Sequence, residues 1–404
     1  MEMQSYQRRT WAEIDLDALE NNYNIVRSLV PNGVKLCCVV KADGYGHGAV
    51  KISELYESLS ADWLAVSNVE EALQLRESGI KTKILVLGYT PPDAAPYLSA
   101  YGISQCVMSY DYGRELALAA REAGVKVKAH FKLDTGMGRI GFPCKSSHSE
   151  LSDRFEREEK ALSEIRELCL SDGIIGEGIF THFASADEGA DGEEYTRRQI
   201  GSFNAAVEKL SEMGVDFELK HASASSAVLD YPEANFDMVR AGLLLFGVLP
   251  SGDIRNKISG LLPTMKLKTV VIQVKDISRG ECVSYGRKYK ADGAVRVATL
   301  PIGYADGFFR HSSDAGVKLE IHGKPAALVG RVCMDQCVID VSDVEGVSIG
   351  DEVVVFGGLT SVGELARLNG TIPYEIFCSI SKRIPRVYVS RQSVVHVTDY
   401  LLDM

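Results

Sequence analysis

The segment KADGYGHG (41–48) places a lysine directly after the apolar stretch VKLCCVV (34–40). A lysine that leaves a dry strand can have a lowered pKa and act as a nucleophile toward aldehydes. The glycines that follow Lys41 are costly in regular structure, so they predict a loop that binds something. The alternative is that Lys41 only marks where the strand meets solvent.

A second group of cations lies in KLDTGMGRIG (132–141), where Lys132 and Arg139 flank a turn. The glycines let the backbone turn tightly beside a ligand, and Arg139 could hold a carboxylate or a phenolate oxygen in a fork. Two solvated cations on a surface turn are the alternative. His182 ends another apolar strand, where a single histidine is more often structural than catalytic.

Arg240 lies inside the apolar segment DMVRAGLLLFG (237–247). A cation among apolar residues must be paired, because burying it alone is very costly, and this favours a functional role. The positions after it correspond to the phosphate-binding loops of barrel enzymes. The candidate phosphate ligands are the N–H groups of Gly242 and Leu243 and the hydroxyls of Ser225 and Ser226.

The second half of the chain holds further polar clusters, each of which could be a hairpin turn or a buried ion pair. They are VSYG (283–286) with Tyr285, PIGYADGFFR (301–310) with Tyr304, Asp306 and Arg310, GRVCMDQC (330–337) with Arg331 and Asp335, and TIPYEI (371–376) with Tyr374.

Short apolar strands alternate with amphipathic helices from residue 34 to 246, which predicts a parallel sheet with right-handed crossovers. Eight such repeats fit a closed (β/α)8 barrel. An open doubly wound sheet is the alternative, but no G-x-G-x-x-G turn follows the first strand. Asn68 and Asp111 suit helix N-caps, and Gly79 and Gly124 suit C′ positions. The predicted strands are VKLCCVV (34–40), WLAV (63–66), ILVLG (84–88), CVMS (106–109), VKAHFKL (127–133), IIGEGIFTH (174–182), FELKH (217–221) and DMVRAG (237–242).

From about residue 250 the apolar period changes to two, which predicts an all-β domain. The boundary is expected near 251–253, giving domains 1–248 and 249–404, and TWAEIDL (10–16) could join the second. Residues 143–160 are polar and predict a solvated insertion or an outer helix. The predicted strand regions are TMKLKTVVIQVKDI (264–277), AVRVATLPI (294–302), KLEIHG (318–323), AALVGRVCMDQCVIDVS (326–342), DEVVVFGG (351–358) and RVYVSRQSVVHVTD (386–399).

The composition is that of a soluble globular protein: 404 residues, 46% hydrophobic, with 44 basic against 55 acidic residues. The net charge of −11 argues against nucleic acid or an anionic membrane as the main partner. Residues 1–24 lack the apolar stretch of a signal peptide, and the run Leu243–Leu249 is too short to span a bilayer. The nine cysteines are interpreted as reduced, buried thiols of a cytoplasmic protein. The pair in CMDQC is weak evidence for zinc, so no metal is predicted.

Taken in order along the chain, eight segments resemble the alanine racemase family. The resemblance implies a pyridoxal 5'-phosphate (PLP) enzyme with an N-terminal (β/α)8 barrel and a C-terminal β domain. It implies interconversion of L-alanine and D-alanine, supply of D-alanine for peptidoglycan precursors, and a homodimer with shared active sites. The segments are KADGYGHG, DTGMGR, THFASADE, VRAGLLLFG, VSYG, PIGYADG, GRVCMDQC and YEIFCSISKRIPR.

The resemblance also implies roles for individual residues. Lys41 corresponds to the lysine that forms the aldimine with PLP and acts as one base. Tyr285 corresponds to the second base, contributed by the partner subunit. Arg139 corresponds to the arginine near the cofactor's phenolic oxygen and the substrate carboxylate, and Lys132 to a lysine that is often carbamylated. The backbone N–H of Met334 corresponds to a substrate-carboxylate ligand from the second subunit.

For the cofactor, the resemblance implies a chain from Tyr285 through His182 and Arg240 to the pyridine nitrogen. Because arginine donates but does not accept a proton, that nitrogen should stay unprotonated. Tyr304 corresponds to a tyrosine of the access corridor, and Asp335 to a supporting residue. The implied phosphate ligands are Tyr45, Ser225, Gly242, Leu243 and Tyr374.

Four residues depart from the commonest family pattern: Ala224, Phe246, Phe377 and Lys382. Phe377 and Lys382 leave the preference between alanine and serine open, although Tyr374 favours alanine. A racemase of wider specificity, a decarboxylase of basic amino acids and a non-enzymatic cofactor-binding protein are the alternatives. Arg240 and Tyr285 argue against the decarboxylase, and the C-terminal domain argues against the binding protein.

Overall fold

The computed structural model describes residues 6–144 and 154–402. The chain forms two compact units. The barrel unit comprises Glu20–Ala42 and Val50–Leu261. The sheet unit comprises Met1–Leu19, Asp43–Ala49 and Leu262–Met404. The predicted domain limits, 1–248 and 249–404, stay a prediction.

The secondary structure of the described residues is as follows. The strands are β1 Thr10–Asp15, β2 Lys35–Val39, β3 Trp63–Val66, β4 Lys83–Val86, β5 Ile103–Val107, β6 Val127–Asp134, β7 Phe142–Pro143, β8 Ile174–Phe180, β9 Leu219–His221, β10 Met238–Ala241, β11 Met265–Val270, β12 Gln273–Ile277, β13 Cys282–Val283, β14 Tyr289–Lys290, β15 Val295–Leu300, β16 Lys318–Ile321, β17 Lys324–Ala327, β18 Cys337–Asp340, β19 Glu352–Phe356, β20 Arg386–Ser390 and β21 Ser393–Thr398. The helices are α1 Leu16–Leu29, α2 Lys41–Tyr45, α3 Ala49–Ser58, α4 Val69–Glu77, α5 Ala95–Ala100, α6 Tyr110–Glu122, α7 Arg154–Leu170, α8 Gly189–Glu212, α9 Ser225–Asp230, α10 Val362–Leu368 and α11 Pro373–Ser379. Short 3-10 turns cover Pro92–Ala94, Pro232–Ala234, Leu243–Phe246, Tyr285–Arg287, Tyr304–Asp306 and Arg310–Ser313.

The barrel unit contains eight parallel strands in the order β10-β2-β3-β4-β5-β6-β8-β9. The ring closes at a single bridge between Ala224 and Arg240, where the Arg240 N–H donates to the Ser223 carbonyl at 2.9 Å. Each strand predicted from the sequence is present, so the barrel prediction is confirmed and the open doubly wound sheet is wrong. Closure brings the carboxyl ends of all the strands to one face, where the chemical residues of a barrel lie.

Helix ends in the barrel follow side-chain capping. The Asn68 side chain accepts from the Glu71 N–H at the start of α4, as predicted. The prediction of Asp111 as a cap is wrong: Ser109 caps α6 by accepting from the Tyr112 N–H, and Asp111 lies in the first turn. A serine in extended backbone leaves its hydroxyl free to reach the N–H groups of the first turn. Gly79 and Gly124 follow the helix ends with positive φ, as expected of C′ residues.

The sheet unit is built on a seven-stranded sheet, in the order β17-β16-β19-β11-β1-β20-β21. In it, β1 lies between β11, to which it is antiparallel, and β20, to which it is parallel. A three-stranded sheet β12-β15-β18 and the hairpin β13-β14 complete the unit. The predicted stretch 264–277 is two strands, because the chain leaves one sheet after β11 and enters another at β12.

Two features correct the description of this region as all-β. Helices α10 and α11 lie between β19 and β20, and the Ser361 side chain caps the first of them. The unit is therefore rich in strands but mixed. Of the polar segment 143–160, residues 145–153 lie outside the described residues, and Arg154 begins the outer helix α7.

The cysteines, all of which lie in described residues, carry thiols rather than disulfides. The prediction that they are buried is confirmed for five of the nine, which are Cys37, Cys38, Cys106, Cys144 and Cys337. It is wrong for the other four, since Cys169 and Cys333 are half-buried and Cys282 and Cys378 are exposed. Among the described helices, none combines the length and apolarity needed to cross a membrane.

Candidate active site

Lys41 follows β2 at the carboxyl-terminal face of the barrel, where the sequence placed it. The Glu71 carboxylate fixes the backbone beside it. One oxygen accepts from the Ala42 N–H and the other from the Ser67 N–H, each at 2.7 Å. Glu71 therefore ties the connection after β2 to the connection after β3, so that the lysine leaves the barrel from a defined position.

The chain after Lys41 forms a left-handed helical turn rather than the flexible loop that its glycines predict. The turn includes non-glycine residues in a conformation that costs L-amino acids about 1–2 kcal/mol each. Backbone strain of this kind persists only where the surroundings hold it, and it clusters at functional sites. The φ values are +53° for Ala42, +55° for Asp43, +61° for Gly44, +53° for Tyr45 and +73° for Gly46.

The loop that carries Arg139 is held by side chains at its base. One Asp134 oxygen accepts from the N–H groups of Gly136 and Gly138, at 3.0 and 2.9 Å. The Tyr195 hydroxyl donates to the Gly136 carbonyl at 2.7 Å. A side chain at Gly136 would meet that tyrosine, so glycine is required for this close approach. Arg139 itself is exposed at the end of this braced loop.

Arg240 is buried and donates to partners at the ends of two neighbouring strands, β8 and β9. Its Nη1 donates to His221 Nδ1 at 2.8 Å. Its Nη2 lies 2.8 Å from the Thr181 carbonyl, 2.9 Å from the Ala222 carbonyl and 3.3 Å from His182 Nδ1. Among the described residues Nε has no hydrogen-bond partner, so one N–H of this cation remains for a ligand.

Positive charges converge on His182. Burial lowers the pKa of its imidazole well below the usual value, and the charges of Arg240, Lys132, Arg139 and Lys41 lower it further. His182 is therefore neutral at pH 7. Burial also lowers the pKa of Lys132 to about 8, with Arg240 and Arg139 contributing in the same direction. A group of cations this dense favours an anionic ligand or an anionic modification.

The candidate phosphate ligands after β9 and β10 lie together. The Ser225 hydroxyl is buried, and its oxygen accepts from the Gly242 N–H at 2.9 Å and the Leu244 N–H at 3.5 Å. Its own hydrogen has no acceptor among the described residues. Leu243 opens a 3-10 turn, so its N–H has no partner within that turn. These are donors that a phosphate could accept from.

In the sheet unit the rings of Tyr45 and Tyr374 lie 5.7 Å apart. The turn that carries Tyr45 is held by His47, whose Nδ1 is 2.9 Å from the Tyr45 carbonyl and whose Nε2 is 2.9 Å from the Thr264 hydroxyl. Burial lowers the pKa of His47 to about 3, so it is neutral. The Arg386 Nε donates to the Gly46 carbonyl at 2.8 Å.

The structure brings together three of the polar clusters of the sheet unit. The Ser284 hydroxyl donates to the Arg331 carbonyl at 2.7 Å, and the Tyr304 N–H donates to the Cys333 carbonyl at 3.0 Å. The side chains they present are exposed: 70% for Tyr285, 53% for Met334 and 41% for Tyr304. Large exposed apolar side chains in one place are typical of a surface that meets a partner.

Asp335 lies beside this surface and is paired with Arg383 at 2.9 Å. Arg383 also lies 3.6 Å from the buried carboxylate of Asp306, which in turn pairs with Arg9 at 2.8 Å. The alternation of acids and cations anchors the loop of Met334 to the interior of its unit. Asp306 is thus a buried carboxylate in an ion-pair network, one of the two alternatives for these clusters, whereas Asp335 and Arg383 of the same network are exposed.

Comparison with known proteins agrees with this geometry. The family model "Alanine racemase, N-terminal domain" matches residues 14–250, and "Alanine racemase, C-terminal domain" matches residues 264–388. The chain is 40% identical over 399 residues to "Alanine racemase 1" of Clostridium acetobutylicum, an alignment that covers 98% of this chain and 99% of that protein. The chain belongs to the alanine racemase family.

Solved structures of alanine racemases are similar over nearly the whole chain. The enzyme of Clostridium difficile 630 superposes with a TM-score of 0.91 at 39% identity, covering 98% of this chain and 100% of that one. The enzyme of Bacillus anthracis, solved with bound L-Ala-P, superposes with a TM-score of 0.88 at 33% identity, covering 99% and 100%.

The four residues that depart from the common alanine racemase pattern differ in their surroundings. Phe377 is buried, with its ring 5.0 Å from that of His47. Phe246 is fully buried, so a hydroxyl there would need a partner. Ala224 precedes α9 without a side-chain cap. The Lys382 ammonium lies 5.5 Å from the centre of the Tyr400 ring.

Sequence analysis missed the polar interior of this alanine racemase barrel, formed by His130, Glu177 and His221. A signal was present in VKAHFKL, where Lys128, His130 and Lys132 alternate with apolar residues and so share one face of β6. Among the described residues, no three His, Cys, Asp or Glu side chains are placed to hold a metal ion.

Proposed function

We propose that this chain interconverts L-alanine and D-alanine, using PLP as its cofactor. The supporting observation is the buried Arg240, which contacts the neutral His182 and retains a donor. Membership of the alanine racemase family and the L-Ala-P bound to the Bacillus anthracis relative support the same substrate class. The D-alanine would supply peptidoglycan precursors.

The residues present fit PLP. Its phosphate would accept hydrogen bonds from Ser225, whose hydroxyl hydrogen is uncommitted, and from the N–H of Leu243 beside Gly242. Tyr45 and Tyr374 are further proposed phosphate ligands. The pyridine nitrogen would accept a hydrogen bond from Arg240. Because arginine stays protonated, it would not transfer its proton to that nitrogen.

When bound, PLP supplies an aldehyde for covalent attachment of an amine and a ring that spreads negative charge away from Cα. The residues of the chain do the rest. Lys41 takes or returns a proton on one face of Cα, from the position that Glu71 fixes. Arg139 attracts the substrate carboxylate, and Lys132 supports it. His182 is neutral and therefore able to accept a hydrogen bond.

The second base is Tyr285, acting on the opposite face of Cα as a residue of the partner subunit. Two bases on opposite faces let the proton leave on one side and return on the other, so the intermediate need not turn over. The exposure of Tyr285 and Met334 supports a shared site, because both side chains would be covered in a homodimer. The Met334 N–H is the proposed partner donor to the substrate carboxylate.

The test is proton NMR in D2O with added PLP, using L-alanine and L-serine in separate samples, with the chirality of each product assayed. We expect rapid loss of the alanine α-proton with formation of D-alanine, and slow reaction of serine. Comparable serine turnover would replace the alanine assignment with a racemase of wider specificity. Absence of exchange on both substrates would refute the proposal.

Tyr285→Phe tests the two-base assignment. The variant keeps the ring but lacks the acidic hydroxyl, so exchange on one face of Cα should be lost while PLP binding, followed by its absorption, is retained. Tyr304→Phe is the matched control, because it removes a hydroxyl from a neighbouring exposed tyrosine. Normal racemisation by Tyr285→Phe would contradict the assignment.

A further inference from the structure

A buried hydrogen-bonded chain crosses the barrel interior from Arg240 to Glu177. Arg240 Nη1 lies 2.8 Å from His221 Nδ1, and His221 Nε2 lies 2.9 Å from His130 Nδ1. His130 Nε2 then lies 3.2 Å from Glu177 Oε2. Both histidines are fully buried, and the chain joins strands β10, β9, β6 and β8. None of its members beyond Arg240 has a role in the reaction proposed above.

The two ends of the hydrogen-bonded chain determine which nitrogen donates and which accepts in each contact. Arg240 only donates, so His221 Nδ1 must accept and the proton of its neutral ring lies on Nε2. His130 Nδ1 must then accept, and the His130 proton lies on Nε2, where it meets a carboxylate. One tautomer of each ring satisfies all three contacts.

Neutral rings are also what the surroundings dictate. Burial lowers the pKa of His221 well below the usual value, and the charge of Arg240 adds to this effect. Burial likewise lowers the pKa of His130, although Glu177 opposes it. Burial alone would raise the pKa of Glu177, but hydrogen bonds from His130, Ser104 and Lys128 outweigh it and hold the pKa at about 2. The chain thus runs from a cation to an anion through two neutral imidazoles.

Packing fixes the orientation of both histidine rings. Phe180 stacks on His221, with ring centres 4.8 Å apart and planes 3° apart. Trp63 contacts His130 edge-on at 5.4 Å. On the neighbouring strand, a side chain at Gly178 would come within 2.5 Å of His130 Nδ1, so glycine leaves the room that this ring occupies.

The chain gives Arg240 a distant counter-charge. Burial lowers the pKa of Arg240 to about 10, and within the described residues no carboxylate contacts it directly. A carboxylate at contact distance would compete with a ligand for the guanidinium. Glu177, three hydrogen bonds away, polarises the imidazoles and stabilises the cation without occupying the donor that faces the ligand.

We propose that Glu177 is a positioning residue, which through His130 and His221 fixes the orientation and the charge of Arg240. Its role in catalysis rests on the proposed function, since Arg240 is there the donor to the cofactor ring. Its role in placing the histidine protons does not rest on the proposed function, because the hydrogen-bonded chain needs no ligand to be complete.

The first test measures proton placement by nitrogen-15 NMR of the full-length protein labelled at histidine, without substrate or added cofactor. We expect His130 and His221 each to show a protonated Nε2 and an unprotonated Nδ1, with the two N–H protons slow to exchange. His130→Phe and His221→Phe spectra assign the signals. A protonated Nδ1 on either ring would overturn the proposal.

The second test compares Glu177→Gln with Lys128→Met. The first removes the charge that ends the chain, while the second removes a cation from Oε1, the carboxylate oxygen outside the chain, at 2.9 Å. With polarisation lost along the chain, we expect kcat for alanine to fall about fivefold with KM within about twofold, together with a shift in the visible absorption of bound PLP. Lys128→Met should leave kcat, KM and absorption unchanged.

Unchanged kcat and absorption in Glu177→Gln, or equal loss in both variants, would overturn the positioning role. If Glu177→Gln does not fold, the tautomers of the unmodified protein decide the question. A different result would refute the proposed function. In that case the unmodified protein would exchange no alanine α-proton, whatever tautomers its histidines show.

Discussion

Truncation of the Arg386 side chain should strongly destabilise the sheet unit. It is 1% exposed, yet its guanidinium donates to the carbonyls of Gly46, Ser381, Ile384 and Ile380 at 2.5–2.9 Å. Arg386→Met keeps the length of the side chain and removes all the donors. The carbonyl of Gly46 belongs to the left-handed turn, so the variant also releases one of the contacts that hold that turn.

The magnitude follows from those contacts. A hydrogen bond to a charged group contributes about 1.5–3 kcal/mol, so four of them contribute at least about 6 kcal/mol. Removing a buried charge relieves its desolvation, which offsets part of this loss. The net cost should be about 3–5 kcal/mol, as for other broken buried charge contacts. For a unit of this size that lowers Tm by about 10 °C.

Thermal unfolding followed by circular dichroism measures the effect, with racemase activity as a second readout. Arg8→Met is the matched control, because the Arg8 side chain is 61% exposed and pairs with Glu352 at 3.1 Å. Such a surface pair contributes at most about 1 kcal/mol. Equal Tm values for the two variants would refute the assignment of Arg386 as an anchor of the turn.

Three other perturbations have distinct outcomes. Gly46→Ala should lower Tm, because φ is +73° and the new Cβ would lie 2.3 Å from the Phe377 carbonyl oxygen; an unchanged Tm would show that the turn adapts. Ser109→Ala should cost about 1 kcal/mol in urea unfolding and Asp111→Ala about half of that, and the reverse order would restore Asp111 as the cap. Burial lowers the pKa of Lys132 from the ordinary 10.5 to about 8 in the folded protein, so the unfolded state binds more protons between these pH values and stability should rise with pH across them. The gain, on the order of 3 kcal/mol, should be absent from Lys132→Met, and a parallel pH profile in the two proteins would contradict the lowered pKa.

The barrel could be predicted because its signals are local. Each strand is a short apolar run bounded by turn residues. The count of eight repeats fits a closed ring, and the lack of a G-x-G-x-x-G turn after the first strand argues against an open sheet. Three cations could be singled out from their local settings: Lys41 at the end of an apolar strand, Arg139 in a glycine-rich turn and Arg240 inside an apolar segment. Their roles come from the resemblance, not from the spacing.

Other features depend on contacts that no local pattern records. The left-handed turn after Lys41 is held by Arg386, more than three hundred residues later in the chain. The glycines of KADGYGHG predict flexibility. The positive φ at Ala42, Asp43 and Tyr45, however, is held by contacts from residues that are distant in the sequence. The stretch 264–277 predicts a single strand region because both of its parts have period two, whereas the structure divides it into β11 and β12.

The polar chain of the barrel interior was missed for the same reason. His130 and His221 are 91 residues apart, and only the barrel brings them to 2.9 Å. Alternation in VKAHFKL shows that one face of β6 is polar, and the usual expectation for a barrel is that branched apolar residues fill its layers. A polar face is therefore not expected inside a barrel, yet His130 on this face is fully buried.

The central position of β1 has a consequence for synthesis of the chain. Thr10 pairs with Thr269, and Ala12 pairs with Arg386, so neither neighbour of this strand exists when the strand leaves the ribosome. At about 5–20 residues per second, β1 waits roughly ten seconds to a minute for β11 and longer for β20. The barrel strands, by contrast, emerge one after another beside their neighbours. During translation the amino terminus is therefore an unpaired strand tethered to a nearly complete barrel, and a ribosome that stalls before β11 leaves that strand open to pairing with another nascent chain.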